Sequence, residues 1–128
     1  MKLHTSEVAL LQDLATAKNW WKSAAAEGIS EPCAAQWIES TEAWSKLSDC
    51  VTKAGANEAF VEVVSELLSG LIHSVLVSFD GGTLLAETTL ITLQDKDGYE
   101  FKRFLHEFWP EYAEGTRSSP AGRSGLSQ

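Results

Sequence analysis

None of the short motifs that name a chemistry occurs in this sequence: no HExxH, no GxSxG, no phosphate-binding glycine loop and no DxD carboxylate pair on a helical stretch. Positive charge is scarce as well. Ten Lys and Arg stand against 18 Asp and Glu, for a net charge of −8 and a pI near 4.8. That balance argues against sequence-independent binding to nucleic acid and against docking on anionic membranes, both of which need a basic surface. Cysteine is limited to Cys33 and Cys50, 17 positions apart, with no CxxC or Cys/His spacing for zinc or thiol redox work. They are expected to be two buried free thiols. The opening MKLHTSEVALLQ lacks the apolar run of a signal peptide, and no uninterrupted apolar stretch reaches the ~18 residues of a bilayer span. A soluble, cytoplasmic protein without cofactor is the expectation.

What the sequence has in quantity is apolar material, 44% of 128 residues, enough for the core of one domain over residues 1–114. Its longest organised stretch is residues 57–80. There Phe60, Val63, Val64, Leu67, Leu68, Leu71, Ile72, Val75, Leu76 and Phe79 keep the three-four spacing of a buried helical stripe. About 23 residues at ~1.5 Å each make a helix of roughly 35 Å, long enough to be the central packing surface. The phase continues without a slip to Phe79, which favours helix over a strand in VLVSF, and Asp80-Gly81-Gly82 supplies the stop.

Around this centre the sequence predicts three more helices. The first covers residues 5–27, with Thr5 or Ser6 as cap, Val8, Leu11, Leu14, Ala17 or Lys18, and Trp21 down one side, and Gly28 as its end. Of the adjacent Trp20 and Trp21, one should be core and the other partly exposed. The second starts at Ser30-Glu31-Pro32, carries Cys33, Trp37, Trp44, Leu47 and Val51, and stops at Gly55. The last covers residues 100–113, with Phe101, Phe104, Leu105, Phe108, Trp109 and Tyr112 on one face and Pro110 distorting its final turns. Before it, TTLITLQ (88–94) is rich in β-branched residues and precedes the turn sequence Asp95-Lys96-Asp97-Gly98, which has only a fragment of a calcium loop. A short β-hairpin is expected there, pairing 88–94 with residues 83–86 or with Tyr99–Phe101. The fold class is therefore mainly α, or α+β with the hairpin counted. From residue 115 the patternless GTRSSPAGRSGLSQ reads as a disordered tail.

Two groups of residues carry what chemistry there is. Glu66, His73 and Asp80 recur every seven residues in one stripe of the central helix, and His106 and Glu107 lie beside the aromatic face of the last. If the last helix crosses the end of the central one, His73, Asp80 and His106 meet in a set suited to a metal or to acid/base work. The blander expectation is that His73 is a satisfied core histidine and that Asp80 caps the glycine turn. The second group is acidic. Glu39, Glu42, Asp49, Glu58, Glu62 and Glu66 give residues 31–66 a local net charge of −5 once Glu31, Lys46 and Lys53 are counted.

The strings HSVLVSFDGGT and LHEFW make residues 70–109 resemble small uncharacterised bacterial proteins with an HSxLxxxDGGT stretch and a later LHExF stretch. The resemblance implies that His73, Asp80, Gly81, Gly82, His106 and Glu107 form one local structure, and it implies no activity.

Size, acidity and the lack of catalytic motifs together point to a protein-binding module, of immunity or inhibitor type, covering a basic protein partner with its acidic helical face. The alternatives are a metal-dependent or acid/base enzyme using His73, Asp80, His106 and Glu107, and a homodimeric structural subunit.

Overall fold

The computed structural model describes residues 2–102 and 104–118. It contains four α-helices, α1 (Thr5–Ser30), α2 (Thr41–Lys53), α3 (Asn57–Phe79) and α4 (Leu105–Ser118), with 3-10 turns at Pro32–Ala34 and Leu84–Glu87. The chain divides into two compact units, Met1–Thr16 with Ser69–Gln128, and Ala17–Leu68. Helices α1 and α3 each contribute residues to both.

In the first unit, Leu11 and Ala15 of α1, Leu76 of α3, and Leu105 and Trp109 of α4 form the buried cluster, with Leu14, Ile72, Phe79 and Phe108 packed against it. Trp109 is buried because its one polar atom is satisfied. Its Nε1 donates to the Ser69 carbonyl at 3.0 Å and to Ser69 Oγ at 3.1 Å. The α3 helix stops where its sequence says it should. Gly81 takes φ 82°, and the Gly82 amide donates to the Val77 carbonyl at 2.9 Å, closing the last turn.

In the second unit, Ala24, Ala25, Gly28 and Ile29 of α1 are buried with Ile38 and Ser48. The Ser48 hydroxyl donates to the Ile29 carbonyl at 2.6 Å, one of the acceptors left open at the end of α1. Gly28 does not end α1. A Cβ there would stand 3.1 Å from Trp44, 3.2 Å from Trp37 and 3.3 Å from Ile38, so glycine is where the indoles meet the helix backbone. Trp20, Trp21, Trp37, Trp44 and Phe60 follow one another edge to face, with centroids 4.8 to 6.0 Å apart.

Several expectations are corrected. The hairpin is absent: among the described residues there is no strand, only an isolated antiparallel bridge between Gln94 and Glu100. The turn is closed by backbone bonds from the Gly98 amide to the Asp95 carbonyl at 3.1 Å and from the Asp95 amide to the Tyr99 carbonyl at 3.0 Å, and by a side chain as well. Asp95 Oδ1 accepts from the Asp97 amide at 2.9 Å and the Tyr99 amide at 2.8 Å. Residues 84–87 are a 3-10 turn, capped by the Thr83 hydroxyl at the Leu85 amide, and so offer no edge for 88–94 to pair with. The second helix begins at Thr41, since the Ser30-Glu31-Pro32 signal initiates only the turn Pro32–Ala34. Cys33 and Cys50 are therefore on different elements, and both are exposed free thiols. Trp20 and Trp21 are both exposed. The last helix starts at Leu105 and carries Pro110 in its interior. Of the tail expected from residue 115, residues 119–128 lie outside the described residues, and α4 extends to Ser118.

The largest correction concerns α3 itself. Its bounds, Asn57–Phe79, match the periodicity, but the helix is not a buried centre: Leu76 is its one fully buried residue among those described. An 18-residue stretch within Asn57–Glu87, of mean hydropathy 1.7, is only 6% buried. By length and composition alone it reaches what a bilayer span requires, contrary to the expectation from the sequence. The helix with the most buried positions is α1, through Glu7, Leu11, Ala15, Lys18, Ala24, Ala25, Gly28 and Ile29.

Candidate functional site

In the first unit α3 ends at Phe79, and the next residue, Asp80, reaches the second residue of α4. Asp80 Oδ2 lies 2.6 Å from His106 Nδ1 and accepts from the His106 backbone amide at 3.2 Å. The carboxylate thus caps a helix start in addition to holding a ring, since amides in the first turn have no acceptor within their own helix. It caps α4, where the sequence had suggested the glycine turn. His73, two turns back on α3, places its ring 5.5 Å from that of His106, centroid to centroid, at 86°. His106 is therefore bonded to Asp80 and lies edge-on to the ring of His73.

Their surroundings differ from the expectation. His73 is exposed, not a core histidine. The Asp80 side chain is 9% exposed and that of His106 is 25% exposed. Glu107, the fourth residue of the group, is exposed about 100° around α4 from His106. Asp80 also borders a shallow cavity of about 190 Å³, lined further by Phe79, Leu90, Ile91, Phe101, Lys102 and Phe104. Among the described residues no group of three or more His, Cys, Asp or Glu side chains is arranged to hold a metal ion.

A polar network that the sequence reading missed anchors the segment leading into α4. Glu7, fully buried, accepts from the His4 amide at 2.8 Å, from the Tyr99 hydroxyl at 3.2 Å and from the Lys102 amide at 3.3 Å. His4 stacks on Tyr99 at 3.7 Å and 7°. Ser6 donates to Asp95 Oδ2 at 2.5 Å. That bond and the Tyr99 and Asp97 amides hold the Asp95 carboxyl below the usual range. The one sequence signal was Glu7 in the first turn of α1; its partners Tyr99 and Lys102 lie more than 90 positions away.

The acidic candidates belong to the second unit, and Glu39, Glu42, Asp49, Glu58, Glu62 and Glu66 are all exposed. They are not equivalent. On α2, Glu42 and Asp49 are each followed four residues later by a lysine, Lys46 and Lys53, the order that compensates charge along a helix. From Asn57 to Phe79, α3 has no Lys or Arg at all, so Glu58, Glu62 and Glu66 make an acidic row on their helix. Lys22 of α1 faces part of it across a groove of about 390 Å³ that Glu58, Val61 and Glu62 also line. On the far side of the row are Val63, 54% exposed, and Leu67, 68% exposed. An apolar line with an acidic border is an arrangement suited to protein association.

No known protein family, curated protein or solved structure matches this chain.

Proposed function

We propose that the protein is a protein-binding module whose working surface is the exposed face of α3, and that its partner presents an amphipathic, basic segment. The observation that carries this reading is the exposure of Val63 and Leu67 beside Glu58, Glu62 and Glu66, on a helix with no Lys or Arg. Covering a large aliphatic side chain is worth about 1.5 to 3 kcal/mol, and a carboxylate row adds orientation and encounter rate for a cationic partner. Glu39, Glu42 and Asp49 contribute to the field of the same unit at longer range. An immunity or inhibitor protein acting in the cytoplasm on a basic nuclease or toxin is the finer form of the proposal. It is supported by the net charge of −8 and by the lack of catalytic motifs.

The test is a synthetic helical peptide with a leucine stripe bordered by lysines, followed by fluorescence anisotropy at low and high salt. Binding should weaken with salt, be lost in Leu67→Glu, and be absent for the same peptide with glutamates in place of the lysines. Equal binding of both peptides, or indifference to Leu67→Glu, would overturn the proposal.

One observation favours a second reading, a homodimer. The exposed line on α3 reads Val63, Leu67, Leu71, Val75, the same from either end about Ser69, and a two-fold antiparallel contact requires such self-complementarity. Sedimentation equilibrium decides it: a dimer that Leu71→Glu converts to monomer supports this reading, and a monomer at all concentrations excludes it.

A further inference from the structure

The three histidines of the chain are in different situations. His4 is occupied, its ring stacked on Tyr99 and its Nδ1 accepting from the Ser6 amide at 3.1 Å. His73 and His106, from α3 and α4, lie together at the surface with ring centroids 5.5 Å apart. We propose that His73 and His106 form a two-imidazole binding site for a divalent transition metal, zinc, copper or nickel, with Asp80 as the residue that positions His106.

The tautomer argues for it. Asp80 Oδ2, which accepts from the His106 amide, also faces Nδ1 at 2.6 Å, and the tautomer that donates from Nδ1 to this oxygen keeps the lone pair of the ring on Nε2. Carboxylate to imidazole to metal is the usual way in which an outer carboxylate fixes a ligating histidine. The spacing also fits. With Zn–N bonds of about 2.0 to 2.1 Å and a tetrahedral angle, two imidazoles on one ion have centroids roughly 5 Å apart, close to the distance seen here. His73 is exposed, so its ring can turn to present either nitrogen without disturbing the core. Imidazole donors select zinc, copper and nickel over calcium and magnesium, which prefer oxygen.

With two protein donors, the remaining coordination positions are filled by water. The site is then weaker than a closed structural zinc site and open to a ligand from outside the chain. It rests on the first unit alone and is independent of the docking surface on α3.

Calorimetric titration of the untagged full chain with zinc or nickel chloride tests the proposal. A Cys33→Ser/Cys50→Ser background is needed because both thiols are exposed and would bind zinc themselves. One equivalent should bind at neutral pH. His73→Ala and His106→Gln should each weaken binding at least tenfold, Asp80→Asn should weaken it about 10- to 100-fold, and His4→Ala should leave it unchanged. In NMR spectra the ring protons of His73 and His106 should shift together on adding zinc, a readout that does not depend on any variant folding. Binding that survives His73→Ala, or ring shifts confined to one histidine, would overturn the proposal.

Discussion

Asp80 Oδ2 stands 2.6 Å from His106 Nδ1 and 3.2 Å from the His106 backbone nitrogen, so one carboxylate oxygen serves both the ring and the main chain of a residue 26 positions away. The contact ties the residue after α3 to the first turn of α4 beside the buried Leu76, Leu105 and Trp109. It is a structural joint and a positioning device at once, and the two roles separate by substitution.

Asp80→Ala removes the acceptor for an amide in the first turn of α4. The expected loss is about 1 to 2 kcal/mol, the range for deleting a helix cap. Asp80→Asn keeps an oxygen for the amide and should lose less. Urea denaturation of the three proteins gives the comparison. Equal midpoints for wild type and Asp80→Ala would mean that the contact adds nothing to folding.

Glu7 offers a second test, since it is fully buried and accepts from the Lys102 amide and the Tyr99 hydroxyl. Glu7→Ala leaves those donors without their carboxylate and should cost about 1 to 3 kcal/mol for each donor that stays buried. The sign is opposite to what helix propensity alone predicts, because alanine is the better helix former. Hydrogen exchange at the Lys102 amide should accelerate in the variant; unchanged protection there would place the stabilising contact elsewhere.

The bounds of α3 were legible because ten apolar residues hold one helical phase up to an Asp-Gly-Gly stop. Which helix is buried was not. The buried row of α1 includes Glu7, Ala15 and Gly28, polar or small residues that a search for hydrophobic periodicity passes over in favour of Val8, Leu14 and Trp21. The stripe of α3, apolar as it is, faces solvent at Val63, Leu67, Leu71 and Val75. Periodicity reports a face, and only the neighbours decide what covers it. The same error made His73 a core residue. The seven-residue spacing of His73 and Asp80 was legible, while their meeting with His106 was only a condition on where the last helix lay; the structure puts Asp80 on His106 and the two histidine rings 5.5 Å apart. The hairpin failed for a different reason: β-branched composition at 88–94 expresses a preference that needs a partner edge, residues 84–87 coil into a 3-10 turn, and the pairing with Tyr99–Phe101 stops at one bridge.

The Asp95 carboxyl titrates below its ordinary value, first because Ser6 donates to it and then because the Tyr99 amide does. A carboxyl with a depressed folded pKa stabilises the folded state above its unfolded value of about 3.9, and that contribution disappears as pH falls through the lower folded value. The turn at 95–98 should therefore loosen from α1 only below pH about 4. Asp95→Asn should flatten this part of the acid unfolding curve. A variant with the acid limb of the wild type would show that the carboxylate is not the sensitive group.

Two glycines on helices make the last prediction, because the same substitution should act in opposite directions. In an exposed helix interior, glycine to alanine stabilises by about 0.5 to 1 kcal/mol, since alanine loses less backbone freedom on folding. Gly70 on α3 fits that case: a Cβ there meets nothing within 4 Å. Gly28 on α1 does not, as its Cβ would press on Trp44, Trp37 and Ile38 at 3.1 to 3.3 Å. Any propensity gain is then outweighed by displacement of two indoles from the edge-to-face series, since overpacking of this kind costs about 1 to 3 kcal/mol. Thermal unfolding should put Gly70→Ala above the wild type and Gly28→Ala below it. Intrinsic tryptophan fluorescence should change in Gly28→Ala and stay the same in Gly70→Ala. A stabilised Gly28→Ala with an unchanged spectrum would mean that the indoles do not rest on the backbone of α1.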